Sequence, residues 1–156
     1  MTAEPNDNAG VIAPPPVIFG VPLVAGLVAN YVYRLPLSSE RVVLWAGIAL
    51  AFFGLALIAA GSLELSRSRT AIIPYKPTTA IVSSGPFRFS RNPLYLGFVL
   101  IYIGASMAAN TFWPLPLLPL VIVAMERGVI HREERYLARK FGEEYLAYQS
   151  RVRRWI

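Results

Sequence analysis

Four long apolar stretches, separated by shorter polar segments, dominate the pattern of hydrophobic and polar positions along the chain. They cover residues 17–33, 41–62, 93–109 and 113–129, and the second contains the uncharged run VVLWAGIALAFFGLALIAAG. An apolar stretch of about 17 to 25 residues is long enough to cross a bilayer as a helix. The pattern therefore predicts an all-α integral membrane protein with about four transmembrane helices in a single membrane domain, residues 17–156.

The polar segments around these stretches predict a tail, a loop and a further helix. Residues 1–16 lack a basic region before an apolar core, so they predict a disordered N-terminal tail rather than a cleaved signal peptide. Residues 63–92 form a loop that is too long for a simple turn. Residues 130–150 carry apolar or aromatic side chains at helical spacing, which predicts a cytoplasmic amphipathic helix that Gly142 bends or interrupts.

Short links and small residues predict how the apolar helices pack. The link 34–41 favours an antiparallel hairpin of the first two helices, and the turn at Asn110 predicts a second hairpin of the third and fourth. The small residues predict a close contact with another helix, or they are ordinary residues of a lipid-facing helix. They recur near helical spacing in the second helix, at Gly47, Ala51, Gly54 and Ala60.

The composition agrees with a membrane location and removes several classes of function. The chain has 156 residues, of which 55% are hydrophobic, and a mean hydropathy of +0.48. The absence of cysteine excludes disulfides and thiolate metal sites, and the single histidine, His131, leaves no histidine cluster, so we expect no metal. The net charge of +6 comes from basic residues beside apolar stretches, a pattern typical of topology and phospholipid signals, and we expect no nucleic-acid partner.

Basic residues also predict the orientation in the membrane. The loop 63–92 holds five of them against one acid, Glu64: Arg67, Arg69, Lys76, Arg88 and Arg91. Because cytoplasmic loops are enriched in lysine and arginine, this loop is predicted to be cytoplasmic. Four crossings then place both termini in the cytoplasm, as expected for a multi-pass protein of a bacterial inner membrane. The final arginines and Trp155 predict an interfacial anchor at the C-terminus.

The most distinctive polar segment is SGPFRFSRNPLYLG, residues 84–97, which leads directly into the third apolar helix. Asn92 has a residue type preferred at a helix N-cap, and Pro93 suits the first helical position. Arg88 and Arg91 would then lie beside the free N–H groups of this helix end. Cations beside unpaired N–H groups predict a site for an anionic ligand group.

Two adjacent carboxylates, Glu133 and Glu134, follow the fourth apolar stretch. A hairpin of the third and fourth helices would bring them opposite Arg91, which predicts a pocket for a zwitterionic ligand. Arg91 and the helix N-terminus would bind the ligand's carboxylate, and Glu133 or Glu134 its ammonium or ribose hydroxyls. Phe87, Phe89 and Tyr95 would pack against a flat ring.

The same residues also have a purely structural interpretation. Arg88 and Arg91 would then be ordinary basic residues of a cytoplasmic loop, and Asn92 and Pro93 would only begin a helix. Glu133 and Glu134 would form exposed ion pairs with nearby arginines, each contributing a few tenths of a kcal/mol.

Two segments resemble a known family. SGPFRFSRNPLYLG is similar to the G-P-Y-x-x-x-R-H-P-x-Y-x-G motif of the isoprenylcysteine carboxyl methyltransferase and phospholipid methyltransferase superfamily. REERYLARKFGEEYLAYQSRVRRWI resembles that family's C-terminal E-E-x-x-L-x-x-x-F-G-x-x-Y-x-x-Y motif. Both occur in the expected order, with an apolar hairpin between them, and together they cover about residues 78–153.

The resemblance implies a cytoplasm-facing pocket for S-adenosylmethionine, with an acceptor that enters from the bilayer. Asn92 stands where the family has histidine, so this position cannot titrate. Val129 stands where eukaryotic members have an arginine, so prenylcysteine specificity does not follow. Arg91 and Tyr95 are implied to position the reacting groups. The implied cofactor-binding residues are Thr79, Ala80, Ile81, Val82, Gly85, Phe87, Asn92, Pro93, Leu94, Tyr95, Glu133 and Glu134.

The function expected from this resemblance is direct transfer of the sulfonium methyl group to an acceptor at the cytoplasmic membrane face. The acceptor would be a lipophilic or small molecule that carries a carboxylate, thiol or amine. Such a reaction depends on orientation and desolvation more than on an acid or base. The alternative is a non-catalytic membrane scaffold, or an apolar-ligand-binding protein, of the same fold.

Overall fold

The computed structural model describes residues 7–156, and the regular secondary structure of these residues is helical, without strands. Two 3-10 turns occur at Gly85–Arg88 and Leu115–Leu117, and a π-helical turn occurs at Glu126–Ile130. The α-helices are α1 (Pro15–Val32), α2 (Arg41–Arg67), α3 (Pro93–Ala108), α4 (Leu118–Met125), α5 (His131–Phe141) and α6 (Glu143–Arg151).

Within residues 7–156, two helices are long and apolar enough to span a bilayer. These are α1, with 18 residues, and α2, with 27. Helix α3 has 16 residues and is apolar but shorter, and α4 has eight and continues through the π-helical turn into α5. The all-helical class and an apolar membrane part are thus confirmed, and four crossings stay a prediction.

Helix α3 lies at the centre of the helical packing. It runs antiparallel to α2 along a line of glycines, where a Cβ on Gly54 would lie only 2.6 Å from the carbonyl oxygen of Gly97. The predicted close face on α2 is therefore present at Gly47, Ala51 and Gly54, but it continues at Gly61 and not at the exposed Ala60.

The pairing of the helices differs from the two predicted hairpins. Helix α1 packs against α3 and α4 and makes little contact with α2. Phe19 of α1 stacks on Phe98 of α3, with ring centroids 5.6 Å apart, and the Tyr102 hydroxyl of α3 donates to the Pro114 carbonyl at 2.8 Å. A buried apolar cluster that includes Phe19, Tyr102 and Met125 forms between these elements.

The segment predicted as a disordered tail is packed from residue 7 onwards, and residues 1–6 lie outside the described residues. The Ile12 N–H donates to the Gly128 carbonyl at 3.1 Å, and Val11 is buried. The Ile12 side chain lies against Gly128, where a Cβ would clash at 2.3 Å. A glycine in the π-helical turn thus creates the space into which the N-terminal segment fits.

The C-terminal region is also more closely packed than predicted. Gly142, with φ of +54°, separates α5 from α6, so the single helix expected over residues 130–150 is two helices. The Arg153 carbonyl accepts the Arg91 N–H at 3.0 Å, and the Trp155 Nε1–H donates to Glu126 at 2.9 Å. Part of the predicted interfacial anchor therefore packs against the protein itself.

Candidate functional site

A cavity of about 130 Å³ lies where the loop 68–84, the N-terminal turn of α3, α5 and α6 meet. This volume is about ten times what one water molecule requires, so the space is large enough for part of an organic ligand. Its wall is mainly apolar and aromatic, with carboxylate, guanidinium, amide and phenol groups at a few points. That composition is typical of small-molecule sites.

Most of the residues predicted for a cofactor site line this cavity. They are Ala80, Ile81, Val82, Phe87, Arg91, Asn92, Pro93, Leu94, Tyr95, Glu133 and Glu134. The two motifs are therefore brought together, although they are separated by an apolar region in the sequence.

Two predicted residues do not line the cavity. The Thr79 hydroxyl donates to the Arg69 carbonyl at 2.9 Å, and the Thr79 N–H donates to the Thr70 hydroxyl at 2.9 Å, so Thr79 closes the base of the loop. Gly85 has φ of +55° and faces the Glu64 side chain, which accepts a hydrogen bond from the Ser84 hydroxyl. Both residues thus shape the loop: Thr79 through these two hydrogen bonds, and Gly85 through a positive φ that favours glycine.

Arg88 and Phe89 also lie outside the cavity, although the sequence placed them at the helix mouth. Phe89 is 70% exposed, and the Arg88 guanidinium lies 5.2 Å from the centre of its ring. The 3-10 turn explains the difference, because it buries Phe87 and directs Arg88 and Phe89 outward.

Glu133 is the carboxylate of the cavity without a cationic partner. Its only hydrogen bonds among the described residues come from the Tyr95 hydroxyl, which lies 2.8 Å from each of its oxygens. Burial, reinforced by the nearby charge of Glu134 and opposed by the Tyr95 hydrogen bond, raises the pKa of Glu133 to about 7. A carboxylate in this setting gains most from a cationic ligand group, because such a group removes the cost of burying an unpaired charge.

Glu134 has a different environment from its neighbour. Its two oxygens accept bonds from Arg154 Nε at 3.0 Å and Nη2 at 2.7 Å, and Arg91 Nη1 lies 3.1 Å away. This pairing raises the pKa of Arg154 above its ordinary value, chiefly through the hydrogen bonds to Glu134. One carboxylate shared by two guanidinium groups leaves a net positive charge, which lies on the Arg91 side of the cavity.

Arg91 has unused hydrogen-bond donors. Its side chain is nine-tenths buried, and its contact with Glu134 is an ion pair without hydrogen-bond geometry. Nε and Nη1 have no hydrogen-bond partner among the described residues. Because buried guanidinium donors are costly to leave unpaired, these atoms offer a site for an anionic group.

Asn92 is buried and holds the C-terminal segment in place. Its side-chain amide donates to the Arg154 carbonyl at 3.0 Å, and its backbone N–H donates to the Ser90 hydroxyl at 3.1 Å. Its side-chain oxygen accepts no hydrogen bond from the first turn of α3. The predicted side-chain N-cap is therefore absent, because the amide is used by a carbonyl 62 residues away.

Several residues of the cavity wall were not predicted as site residues. Tyr145 and Tyr148 were interpreted only as the apolar side of a helix, yet the Tyr148 hydroxyl donates to the Phe87 carbonyl at 2.7 Å and joins the two motifs. The sequence shows the helical spacing of these two tyrosines, but it does not show that they face the cavity. The other unpredicted members are Ala9, Leu65, Ala71, Ile72, Ile73, Pro74, Thr78, Tyr136 and Leu137.

The N-terminal segment contributes to this wall through Ala9. Asp7 accepts a hydrogen bond from the Tyr136 hydroxyl at 2.7 Å and pairs with Lys140 at 2.5 Å. The Tyr136 oxygen also accepts the Thr78 N–H at 3.2 Å. Tyr136 therefore connects the N-terminal segment, the loop and α5 at one side of the cavity.

Comparison with known proteins defines the class to which this architecture belongs. The family model for phospholipid methyltransferases matches residues 42–144. This region includes α2, the loop, α3 and both glutamates, and hence most of the cavity wall. The helical membrane protein with the cavity described above belongs to the phospholipid methyltransferase family, a family of membrane methyltransferases, and the resemblance inferred from its motifs is confirmed.

Two individual proteins are also similar to this chain. A protein-S-isoprenylcysteine O-methyltransferase of Schizosaccharomyces pombe is 32% identical over 72 residues, which are 46% of this chain and 30% of that enzyme. An uncharacterized protein of Haemophilus influenzae is 36% identical over 64 residues, which are 40% of this chain and all of that protein. The match to the yeast enzyme thus covers less than a third of its length.

Proposed function

We propose that this protein transfers the methyl group of S-adenosylmethionine to a lipophilic or small acceptor at the cytoplasmic face of a membrane. The observation that carries the proposal is a separation of charge in one cavity. Among residues 7–156, Glu133 has no cationic partner, and two guanidinium nitrogens of Arg91 have no hydrogen-bond partner. A ligand with a carboxylate and an ammonium group satisfies both, as the amino-acid end of S-adenosylmethionine would.

The charge of the ligand also fits that of the cavity. S-adenosylmethionine carries a sulfonium, an ammonium and a carboxylate, so it brings one net positive charge. Glu134 is already balanced by Arg154, and the positive charge of Arg91 would be met by the ligand carboxylate. Glu133 then meets a cation, which offsets the desolvation that raises the pKa of this carboxyl.

The apolar part of the wall suits a flat aromatic ring. Phe87, Tyr145 and Tyr148 line the cavity together with Ile81 and Val82. Aromatic side chains stabilise a flat ring by stacked or edge-to-face contact. An adenine ring in this region would place the amino-acid end toward the charged residues.

When bound, the cofactor supplies an electrophilic methyl group on a sulfonium. The residues of this chain bind it, orient it and exclude water, while Tyr95 holds the Glu133 carboxylate in place. Asn92 supplies no proton transfer, because its side chain is an amide and donates to the Arg154 carbonyl. The proposed reaction therefore relies on positioning and desolvation, which suits an acceptor that is nucleophilic without a base.

The proposal also includes the orientation of the protein in the membrane. The basic residues of segment 63–92 support a location of the cavity on the cytoplasmic side of the membrane, and four crossings would place both termini on that side. Helices α3 and α4 are short, so their crossing would need local thinning of the bilayer or packing within the protein.

The test uses the full chain purified in detergent or nanodiscs. S-adenosylhomocysteine at about 100 times its Kd should stabilise the fold by about 2.7 kcal/mol, seen as a rise in Tm. Incubation of S-adenosylmethionine carrying a labelled methyl group with membrane lipid extract should then produce a labelled acceptor. No thermal response at millimolar ligand would refute the cofactor site. Binding without transfer to any extract would instead support the alternative of a non-catalytic ligand-binding protein, which the amide at position 92 favours.

A further inference from the structure

The loop between α2 and α3 has a defined base and an apolar tip. Its base is closed by Thr79, which bonds to the Arg69 carbonyl and the Thr70 hydroxyl, both at 2.9 Å. Thr70 is buried, and a turn follows in which the Lys76 N–H donates to the Ile73 carbonyl at 3.0 Å. Residues 71–78 therefore project from a fixed base, and we refer to them as the lip.

The lip exposes apolar side chains at the entrance of the cavity. Ile72 and Ile73 line the cavity, yet they are 42% and 51% exposed, and Tyr75 beside them is 40% exposed. Exposed apolar groups at the mouth of a site mark a surface that contacts something apolar. The position of these side chains, near the lipid-facing part of α2, indicates which kind of partner they contact.

The lip begins close to the apolar surface of α2. Leu63, on the last turns of that helix, is 58% exposed and belongs to the apolar face that α2 turns outward. Helix α2 ends four residues later at Arg67, a distance of about 6 Å along the axis. The lip thus begins eight residues after Leu63, near the end of the face that α2 would present to lipid.

The charged residues of the lip and of the loop base before it are basic. Arg69 and Lys76 flank the apolar residues, and neither has an ion-pair partner among the described residues. The sequence contains no aspartate or glutamate between Glu64 and Glu126. Exposed apolar side chains between unpaired cations are the features with which protein segments bind anionic phospholipid surfaces.

We propose that the lip is a lipid-binding element, which inserts Ile72, Ile73 and Tyr75 into a leaflet that contains anionic phospholipid. The unpaired Arg69 and Lys76 lie at the level of the headgroups. The entrance of the cavity between Ile72 and Ile73 thereby opens beside the acyl chains. This proposal does not depend on the identity of the cofactor.

The experiment uses the absence of cysteine from the chain. Ile73→Cys, and Glu144→Cys on the exposed face of α6 as a control, each accept one environment-sensitive fluorophore. The full chain is placed in nanodiscs of phosphatidylcholine alone or mixed with phosphatidylglycerol. Quenching is measured with acrylamide, which is uncharged and reports access from water, and with lipids carrying a nitroxide on the acyl chain.

The expected result is quenching by nitroxide lipid at position 73 and none at position 144. Acrylamide quenching at position 73 should be at least about threefold weaker than at position 144, and weaker still with phosphatidylglycerol. Added Arg69→Gln and Lys76→Gln substitutions should remove the difference between the two lipid mixtures.

Two results would overturn the proposal. Equal acrylamide access at positions 73 and 144 in both mixtures would show that the lip is in water. Protection from acrylamide without nitroxide quenching would show that protein, such as a second copy of the chain, covers it. Binding of S-adenosylhomocysteine is measured on the unlabelled parent chain in the same nanodiscs, because Ile73 lines the cavity, so that failure of the cofactor proposal is distinguished from failure of this one.

Discussion

The Tyr95 hydroxyl lies 2.8 Å from each carboxylate oxygen of Glu133 and joins the first turn of α3 to the first turn of α5. The two residues are 38 positions apart, and one comes from each of the two motifs. A single hydroxyl proton serves both oxygens, so the carboxylate keeps most of its acceptor capacity for a ligand. This contact therefore assembles the cavity and leaves its carboxylate available.

Replacement of Glu133 by glutamine should weaken ligand binding more than it weakens the fold. A hydrogen bond to a charged group contributes about 1.5–3 kcal/mol, so the Kd for S-adenosylmethionine should rise about 10- to 100-fold. Isothermal titration measures this change. Glu134→Gln is the matched control. It leaves Arg91 and Arg154 without their anion, so it should lower Tm more than it weakens ligand binding. Equal binding losses in two well-folded variants would contradict the separate roles.

The raised pKa of Glu133 predicts opposite effects of pH on ligand affinity and on stability. Below about pH 7 the carboxyl is protonated, so binding of a cationic ligand should weaken as pH falls from 7 to 5.5. The stability of the unliganded protein should instead increase as pH falls. Its carboxyl retains a proton between the ordinary pKa of 4.5 and about 7, whereas the unfolded chain loses it, so stability should fall as pH rises through this window.

Titrations and thermal melts at about pH 5.5, 6.5 and 7.5 test both trends, because these values surround the Glu133 pKa of about 7. Glu133→Gln should flatten both curves, because it removes the group that titrates. A pH dependence of binding that persists in this variant would assign it to another group.

Removal of the Tyr95 hydroxyl should alter the titration of Glu133 without removing the aromatic ring. The Tyr95 hydrogen bond lowers the pKa of Glu133, so Tyr95→Phe should move the midpoint of pH-dependent binding to higher pH. Tyr102→Phe is a suitable control, because it loses a hydrogen bond of the same 2.8 Å length away from the cavity. That variant should lose about 1 kcal/mol of stability and keep the midpoint of the parent.

Arg91→Lys should distinguish ligands with a carboxylate from those without one. Lysine keeps the charge but lacks the forked donors of arginine, so the Kd for S-adenosylhomocysteine should rise about tenfold. Methylthioadenosine, which lacks the amino-acid end, should bind the variant as it binds the parent. Arg88→Lys serves as the control, because Arg88 is exposed and outside the cavity. An equal loss for both ligands would mean that Arg91 acts only through the fold.

The close contact of α2 with α3 predicts a strong effect of one methyl group. In Gly54→Ala the new Cβ would lie 2.6 Å from the Gly97 carbonyl oxygen, which is backbone and cannot rotate away. The variant should lose about 1–3 kcal/mol through overpacking, measured by denaturation in detergent. Gly20→Ala, where nothing lies within 4 Å of the added Cβ, should be close to neutral. Similar losses in both variants would contradict the contact.

Much of the helical architecture follows from local properties of the sequence. The apolar stretches 17–33 and 41–62 correspond to α1 and to most of α2, because hydrophobic composition and length are read directly from neighbouring residues. Helix α2 continues to Arg67, so the predicted loop 63–92 begins five residues later than expected. Gly142 interrupts the C-terminal helix as expected, since its backbone has a positive φ, a conformation that favours glycine. The two motifs were also sufficient to predict the family of the protein, and the match to the family model confirms that prediction.

Other features depended on residues far away in the chain. Thr79 and Gly85 match the family pattern, but their contacts with Arg69 and Glu64 keep them out of the cavity. Conversely, Ala9 enters its wall because Gly128 leaves space for Ile12. Local sequence shows neither effect, because each depends on which distant surface fills a given space.

The two glutamates mark the division between sequence and tertiary structure. The sequence determined that two carboxylates stand at the start of a helix opposite a basic segment, but it left open which one faces the ligand. Neighbouring residues of an α-helix point about 100° apart, so only one of them can face a given wall. In the structure Glu134 is bonded to Arg154 of the C-terminal segment, and Glu133 is bonded to Tyr95 of α3. The tertiary structure alone decided this, because the partners that distinguish the two carboxylates lie 20 and 38 residues away.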